Sequence, residues 1–503
     1  MSEALVAGII ADTSNPAAVR RLLGDLGRLA RVDPGLGRVA VVVLENSSGD
    51  AAPGALDEAC FERLEVRVVQ RHDGAASSSS ASSRVGASTG RLPIAAARTL
   101  VQRRAVDCLE GRPGAVWILD EDLRLSPLLD AIARGEAPLS QRVVELRAAR
   151  VDVAVGPVYG APPLPARSTA RVNLEDVWRH LELIGTLGPE DVWPDRSPEN
   201  ARVRRALPEY YYDLSRAHED AGAHPMWIER EGAHETAASA LARLCAGLGG
   251  LLDGSPLTRP IADDAALDAT RSPLSRGGNT LVLRPELLAR IPNLALRAGG
   301  RVSRRSDMIW ARLAVALESA RFARGSIAAL QDRSGQGRAG FDADKLLDDA
   351  RGSALVAALD SWLEEGHLQA GRPGSVASAA RAAEVYVDRA RARLEAIRGS
   401  ETQARALVDR ILARALSPAR HGDFLHHAMN RASMARLSEH ASGLRAAYEA
   451  RFIAGDPEGD RGDVERFLLG LPGEIEAYRA RAAAPLSLAA GPIADHAANR
   501  LEA

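Results

Sequence analysis

Short apolar runs punctuate the first part of the chain: Leu5 to Ala11, Val39 to Leu44, Leu64 to Val69 and Ala115 to Leu119. Each is too short for a helix and reads as a strand, most of them apolar at successive positions, as in strands buried on both faces. The intervening segments have a different period. From Ala17 to Ala30, residues Val19, Leu22, Leu23, Leu26 and Leu29 fall on one helical face, and Leu92 to Leu109 is also helical. Strands alternating with helices predict an open, mostly parallel sheet with helices on both faces.

Further along, Val151 to Val158 reads as another strand, and Thr280 to Leu283 as a short strand after the turn Gly277-Gly278. Met308 to Ala320 is helical. Beyond Phe341 the pattern is helical throughout, over 351–365, 375–398, 402–416, 424–454 and 462–483. The expected class is α/β, divided into an α/β half over 1–164, a mainly helical insertion over 165–270, a segment over 271–325 that completes the α/β domain, and an all-α C-terminal region over 326–503. A helical tail of this kind offers a surface for self-association.

Ligands in open α/β sheets sit at the carboxyl ends of the strands, and acidic residues gather there: Asp12, Glu45 and Asp120. Asp120 and Asp122 flank Glu121. Residues i and i+2 of an extended segment point the same way, so the pair is placed to face one hard, oxygen-seeking cation such as Mg²⁺ or Mn²⁺. The competing reading is an acidic turn leading into a helix at Ser126-Pro127.

Four segments in this order resemble the nucleotide-binding half of GT-A glycosyltransferases, the family-2-like nucleotide-diphospho-sugar transferases. Val6 to Asn15 is similar to the family's first strand, whose end touches the nucleoside, which gives Asp12 a donor contact. Val41 to Ser48 is similar to the second, with Glu45 as base or ribose acceptor. Ala95 to Leu100 resembles the Ala-x-Ala-Arg-Asn helix that approaches the diphosphate, with Arg98 on phosphate and Thr99 in place of Asn. Trp117 to Asp122 stands at the family's metal-binding Asp-x-Asp. The resemblance implies Asp120 and Asp122 as ligands of Mn²⁺ or Mg²⁺, with Asp120 also touching the nucleotide-sugar donor. Gly277 to Pro285 resembles the glycine-led strand lining the acceptor site. Asp307, after Ser306, stands where inverting members keep a general base, the competing reading being a helix N-cap. The implied reaction is transfer of a sugar from a nucleotide-diphosphate donor to an acceptor the residues do not name. The helical tail lies outside the resemblance.

Composition narrows the setting. A chain of 503 residues exceeds one compact core. The net charge of −2 gives no reason to expect nucleic acid. Cys60, Cys108 and Cys245 fit neither a disulfide framework nor a thiolate zinc site. No apolar run nears the ~20 residues of a transmembrane helix, and Met1 to Ala4 lead straight into a strand, so neither a membrane span nor a signal peptide is expected. The expected compartment is the cytoplasm, which favours a soluble acceptor.

Three lesser features complete the reading. The serine-rich stretch Gly74 to Ser83, within a loop reaching Arg91, is expected to be mobile and to order over a bound donor. His218, His224, His234, His421, His426 and His427 are candidates for a third metal ligand, with a structural role as the simpler reading. Glu209-Tyr210-Tyr211-Tyr212-Asp213 could stack on a base or sugar, or pack in a core. A sugar nucleotidyltransferase would need a glycine-rich phosphate loop after the first strand, and a dinucleotide oxidoreductase a Gly-x-Gly-x-x-Gly. Neither is present. A transferase-like domain serving only as a binding module is the non-enzymatic alternative.

Overall fold

The computed structural model describes residues 3–11, 16–46, 64–69, 92–160, 166–206, 225–253, 257, 274, 278–332, 343–368, 374–416, 428–449 and 456–483. Asp12, Gly74 to Arg91, Glu209 to Asp213, His218, His224, His421, His426 and His427 lie outside the described residues.

The apolar runs form the strands of one seven-stranded sheet. In chain order its members are β1 (Glu3–Ala11), β2 (Leu36–Glu45), β3 (Glu65–Val69), β4 (Gly114–Asp120), β6 (Val153–Val155), β8 (Asn279–Val282) and β11 (Phe322–Arg324). Their order across the sheet is β11-β6-β8-β4-β1-β2-β3. All neighbours are parallel except at β8, which runs antiparallel to both β4 and β6. The remaining strands lie outside it. β5 (Leu123–Arg124), β7 (Val158–Gly160) and β12 (Ala329–Gln331) make a small second sheet, and β9 (Arg297–Ala298) and β10 (Arg301–Val302) a hairpin.

The period of two divides the sheet's side chains between two cores. Val6, Ala40, Val42, Val116 and Ile118 enter one, and Leu5, Ala7, Ile9, Val41, Val43 and Trp117 the other. Both faces are buried, as uninterrupted apolar strands require. The register sets Ile10 beside Asp120 and Ala11 beside Glu45, so both carboxylates stand at the same carboxyl edge.

Thirteen α-helices are described: α1 (Pro16–Val32), α2 (Ile94–Cys108), α3 (Ser126–Ala133), α4 (Leu139–Ala148), α5 (Ala166–Ile184), α6 (Ser197–Ala206), α7 (Ala237–Leu248), α8 (Glu286–Arg290), α9 (Ser306–Glu318), α10 (Ala343–Glu364), α11 (Val376–Leu416), α12 (Ala428–Glu449) and α13 (Arg461–Ala483). One face of the sheet packs on α1 with Leu22, Leu23 and Leu26. The other is covered by α2 and α9, and through them by α10, the first half of α11, and α13. The second half of α11 leaves this core and joins α5, α7 and α12 in a third, mainly helical one that also takes in Trp193 and Ile228. The insertion and the C-terminal region therefore share a core. Among the described residues no helix is long and apolar enough to cross a membrane.

Two details differ from the sequence pattern. The run from Val151 to Val158 is split: β6 joins the main sheet and β7 the small one, with Gly156 between them. A Cβ there would sit 2.3 Å from the Ile327 carbonyl, which glycine alone avoids. Val376–Leu416 forms one helix where the sequence pattern predicts a break near 399–401. Gly399 stands in open space, while buried Ile397 and Ala404 hold the helix on both sides of it.

Candidate functional site

Arg98 is the centre of the site. It projects from the first turns of α2, with its side chain 13 % exposed. Its Nη1 lies 3.3 Å from Asp307 Oδ2, and its Nη2 lies 3.5 Å from Asp120 Oδ1. One guanidinium thus joins the end of β4 to the start of α9. Burial opposes its charge, but Asp307 and Asp120 more than compensate and hold it more strongly protonated than an ordinary arginine.

Asp120 ends β4, and its side chain is 44 % exposed. Its backbone N–H donates to the Gly278 carbonyl at 2.9 Å. The carboxylate lies against the Gly278 Cα: a Cβ at that position would be 1.9 Å from Asp120 Oδ2. The glycine ahead of β8 is therefore what leaves room for the Asp120 side chain. Desolvation pushes the Asp120 carboxyl above the usual range. Arg98 draws it down, and the neighbouring carboxylates of Asp122 and Asp307 push it up again.

Asp122 is set differently. The extended strand stops at Asp120, and residues 121–122 turn into β5, which pairs with β12 instead of with the main sheet. Asp122 is buried. Its Oδ2 accepts a hydrogen bond from Gln331 Nε2 at 2.9 Å, and its carbonyl accepts one from Asp332 N at 2.7 Å. Asp25 of α1 fixes the next step by receiving Arg124 through two nitrogens, at 2.8 and 3.1 Å, and the Leu125 N–H at 2.9 Å.

Glu45 ends β2, half-buried, and among the described residues its carboxylate has no hydrogen-bonding or ionic partner. Burial alone raises its carboxyl above the ordinary range. Beside it, Asn46 turns inward. Its Nδ2 donates to the Leu92 carbonyl at 3.0 Å and its Oδ1 accepts from Leu92 N at 2.7 Å, tying the end of β2 to the entrance of the Arg98 helix. Thr99 is also structural: Asn293 N donates to its hydroxyl at 2.9 Å, and the hydroxyl reaches the Ala95 carbonyl at 2.9 Å.

Asp307 is the second residue of α9, beyond the cap position, which Arg305 occupies without a side-chain cap. Its Oδ1 accepts from Met308 N at 3.0 Å, and a helix N-terminus favours the anion. The structure thus brings together Arg98, Asp120 and Asp307, with Asp122 within electrostatic reach of Asp120 and Glu45 on the same sheet edge. His234 is exposed on the surface. Gln331 and Asn46 were not foreseen as supports. Each is one of several polar residues at or after a strand end, with no local signal that singles it out.

The donor set suits a hard cation in kind, being carboxylate oxygens alone, and Asp120 and Asp307 on one arginine, with Asp122 near Asp120, leave negative charge in excess. Among the described residues no group of three or more His, Cys, Asp or Glu is disposed to hold a metal by itself. Mg²⁺ and Mn²⁺ commonly take one or two protein carboxylates and complete their shell with substrate phosphate oxygens; for that mode Asp120 is half-exposed, while Asp122 is buried and already engaged by Gln331. No protein-family model and no curated protein matches this chain.

Proposed function

We propose that this chain is a metal-dependent glycosyltransferase of the GT-A type, moving a sugar from a nucleotide-diphosphate donor to a soluble hydroxyl acceptor in the cytoplasm. The observation that carries the reading is Arg98 held between Asp120 and Asp307 at the carboxyl edge of the sheet. That edge is where open α/β sheets bind ligands. The mostly parallel seven-stranded sheet is compatible with the GT-A architecture.

Each residue has a role. Glu45, half-buried and without a partner among the described residues, accepts from a hydroxyl or N–H of the nucleoside. Asp12 would add a second donor contact. Arg98 turns part of its charge to the diphosphate, a pairing that a planar, always-charged group makes well. Asp120 and Asp122 would hold Mn²⁺ or Mg²⁺, which when bound neutralises the departing diphosphate. Asp307 takes the proton of the acceptor hydroxyl as its oxygen bonds to the anomeric carbon and the bond from that carbon to the diphosphate breaks.

A second reading, a transferase-like domain kept as a binding module, has one observation in its favour: Asp122 is buried and engaged by Gln331. Nucleoside diphosphate released from a panel of sugar nucleotides with Mn²⁺ separates the two. The expected result is release from at least one donor. In calorimetry, the Asp120→Ala/Asp122→Ala double variant should lose metal-dependent binding of the corresponding nucleoside diphosphate. Binding equal to the parent would remove the pair from the site.

A further inference from the structure

Arg305, two residues before Asp307, has φ 67° and ψ 28°. That left-handed conformation is unfavourable for a residue with a Cβ and persists only where the surroundings impose it. Here they do: Arg305 Nη1 reaches Met308 Sδ within α9 at 3.5 Å, and the charged contacts come from α10 and α11. Asp349 receives the Arg305 guanidinium in a two-point pair, Nε to Oδ1 at 3.1 Å and Nη2 to Oδ2 at 3.0 Å. Asp349 is 4 % exposed, and Arg393 of α11 stands 3.7 Å from it on the other side. The neighbouring backbone is held as firmly. Arg304 N donates to the Asp348 carbonyl at 3.0 Å, and Arg301 pairs with both oxygens of Asp348 at 2.8 Å. Gly352 lets the Arg304 carbonyl approach so closely that a Cβ would lie 2.2 Å from its oxygen. Desolvation works against the Asp349 anion, yet Arg305 and Arg393 hold its carboxyl below the usual range.

We propose that Asp349 is a positioning residue for the acceptor side of the site: through Arg305 it imposes the left-handed turn that aims α9, and with it Asp307, at Arg98 and Asp120. The helical region is then a working part of the site and not an appendage. This rests on the glycosyltransferase reading only in assigning Asp307 its chemistry.

Glycine adopts the left-handed region without strain, so the clamp has a specific substitute. Arg305→Ala and Arg305→Gly remove the same guanidinium but differ in how readily they keep the turn. In the full chain, with release of nucleoside diphosphate from the active sugar nucleotide as readout, Arg305→Ala should lower turnover about tenfold, the ratio that follows from the cost of the left-handed region. Arg305→Gly should stay within about threefold of the parent. Binding of nucleoside diphosphate with Mn²⁺ should be unchanged in both. Asp349→Ala should fall at least as far as Arg305→Ala, and adding Arg305→Gly to it should restore turnover. Equal losses in the Ala and Gly variants overturn the proposal, as does a parental Arg305→Ala. If Asp349→Ala does not fold, the Arg305 pair still decides. A chain in which Asp307→Asn lowers turnover while Arg305→Ala does not loses the clamp and keeps the function. A parent that releases no nucleoside diphosphate from any donor loses both.

Discussion

Two charge clusters in this molecule are built from the same materials and tuned in opposite directions. In the helical region, Arg351 donates to Asp460 through two nitrogens at 2.7 and 2.9 Å, and the Tyr386 hydroxyl adds a third bond at 2.8 Å. All three residues are buried or nearly so, and the carboxylate is saturated by donors. At the sheet edge one arginine is stretched between two carboxylates at 3.3 and 3.5 Å, longer than charge-assisted bonds prefer. The first cluster has matched charge and short bonds, and contributes to holding helices together. The second has surplus negative charge, long contacts and a half-exposed Asp120. It is on this unmet demand that the proposed function rests.

The largest expected effect separates the two clusters by activity. Asp307→Asn keeps size and polarity but removes basicity. It should lower turnover by roughly two to four orders of magnitude while leaving the melting temperature near the parent's. Preserved turnover would show that the loose cluster, too, is structural. Next comes the tight cluster. Asp460→Ala strands the buried Arg351 guanidinium and should cost about 3–5 kcal/mol, seen in chemical denaturation. A loss below about 1 kcal/mol would mean that the short bonds contribute little net stability.

The smallest effect sharpens the contrast inside the helical core. His180 is fully buried between Trp193 and Trp227. Its Nδ1 faces the Asp176 carbonyl at 2.5 Å and its Nε2 accepts from Ile228 N at 2.8 Å, so the neutral ring has both nitrogens satisfied. Burial drops its pKa from 6.5 to about 4. The folded state therefore resists protonation that the unfolded chain accepts. Stability is fully present above pH 6.5 and is lost as pH falls toward 4, by on the order of 3 kcal/mol. Urea midpoints measured between pH 7 and 4.5 should show this slope in the parent and much less of it in His180→Gln. Parallel curves would remove His180 as the cause.

Much of the sheet was legible because a doubly buried strand cannot hide its composition: Val39 to Leu44 and Ala115 to Leu119 admit few other readings. The direction of β8 was not legible, since Thr280-Leu281-Val282 presents the same apolar pattern read either way. Asp120 and Asp307 were visible as acids at a strand end and a helix start. That Arg98 ties them together was not, because each lies on a different element and only the fold brings the three together. Gln331 supports Asp122 across 209 positions of sequence, and nothing local marks it. Asp349 looks like any acid in a helical run until the left-handed Arg305 beside Asp307 is seen.

The core above the sheet has a consequence for how the chain can be made. It joins Val6, of the first strand, to Val464, Leu468 and Ile475 of α13. During synthesis the strands emerge long before the helix that finishes their cover. Until then one apolar face of the sheet has α2, and later α9, α10 and the first half of α11, to keep it from water or from another nascent chain. Such long-range closure slows folding and lengthens the time during which aggregation competes. A truncation that spares every residue of the candidate site but ends before α13 would therefore be expected to yield an insoluble product, and the search for a minimal active fragment has to begin from a length that includes Ile475.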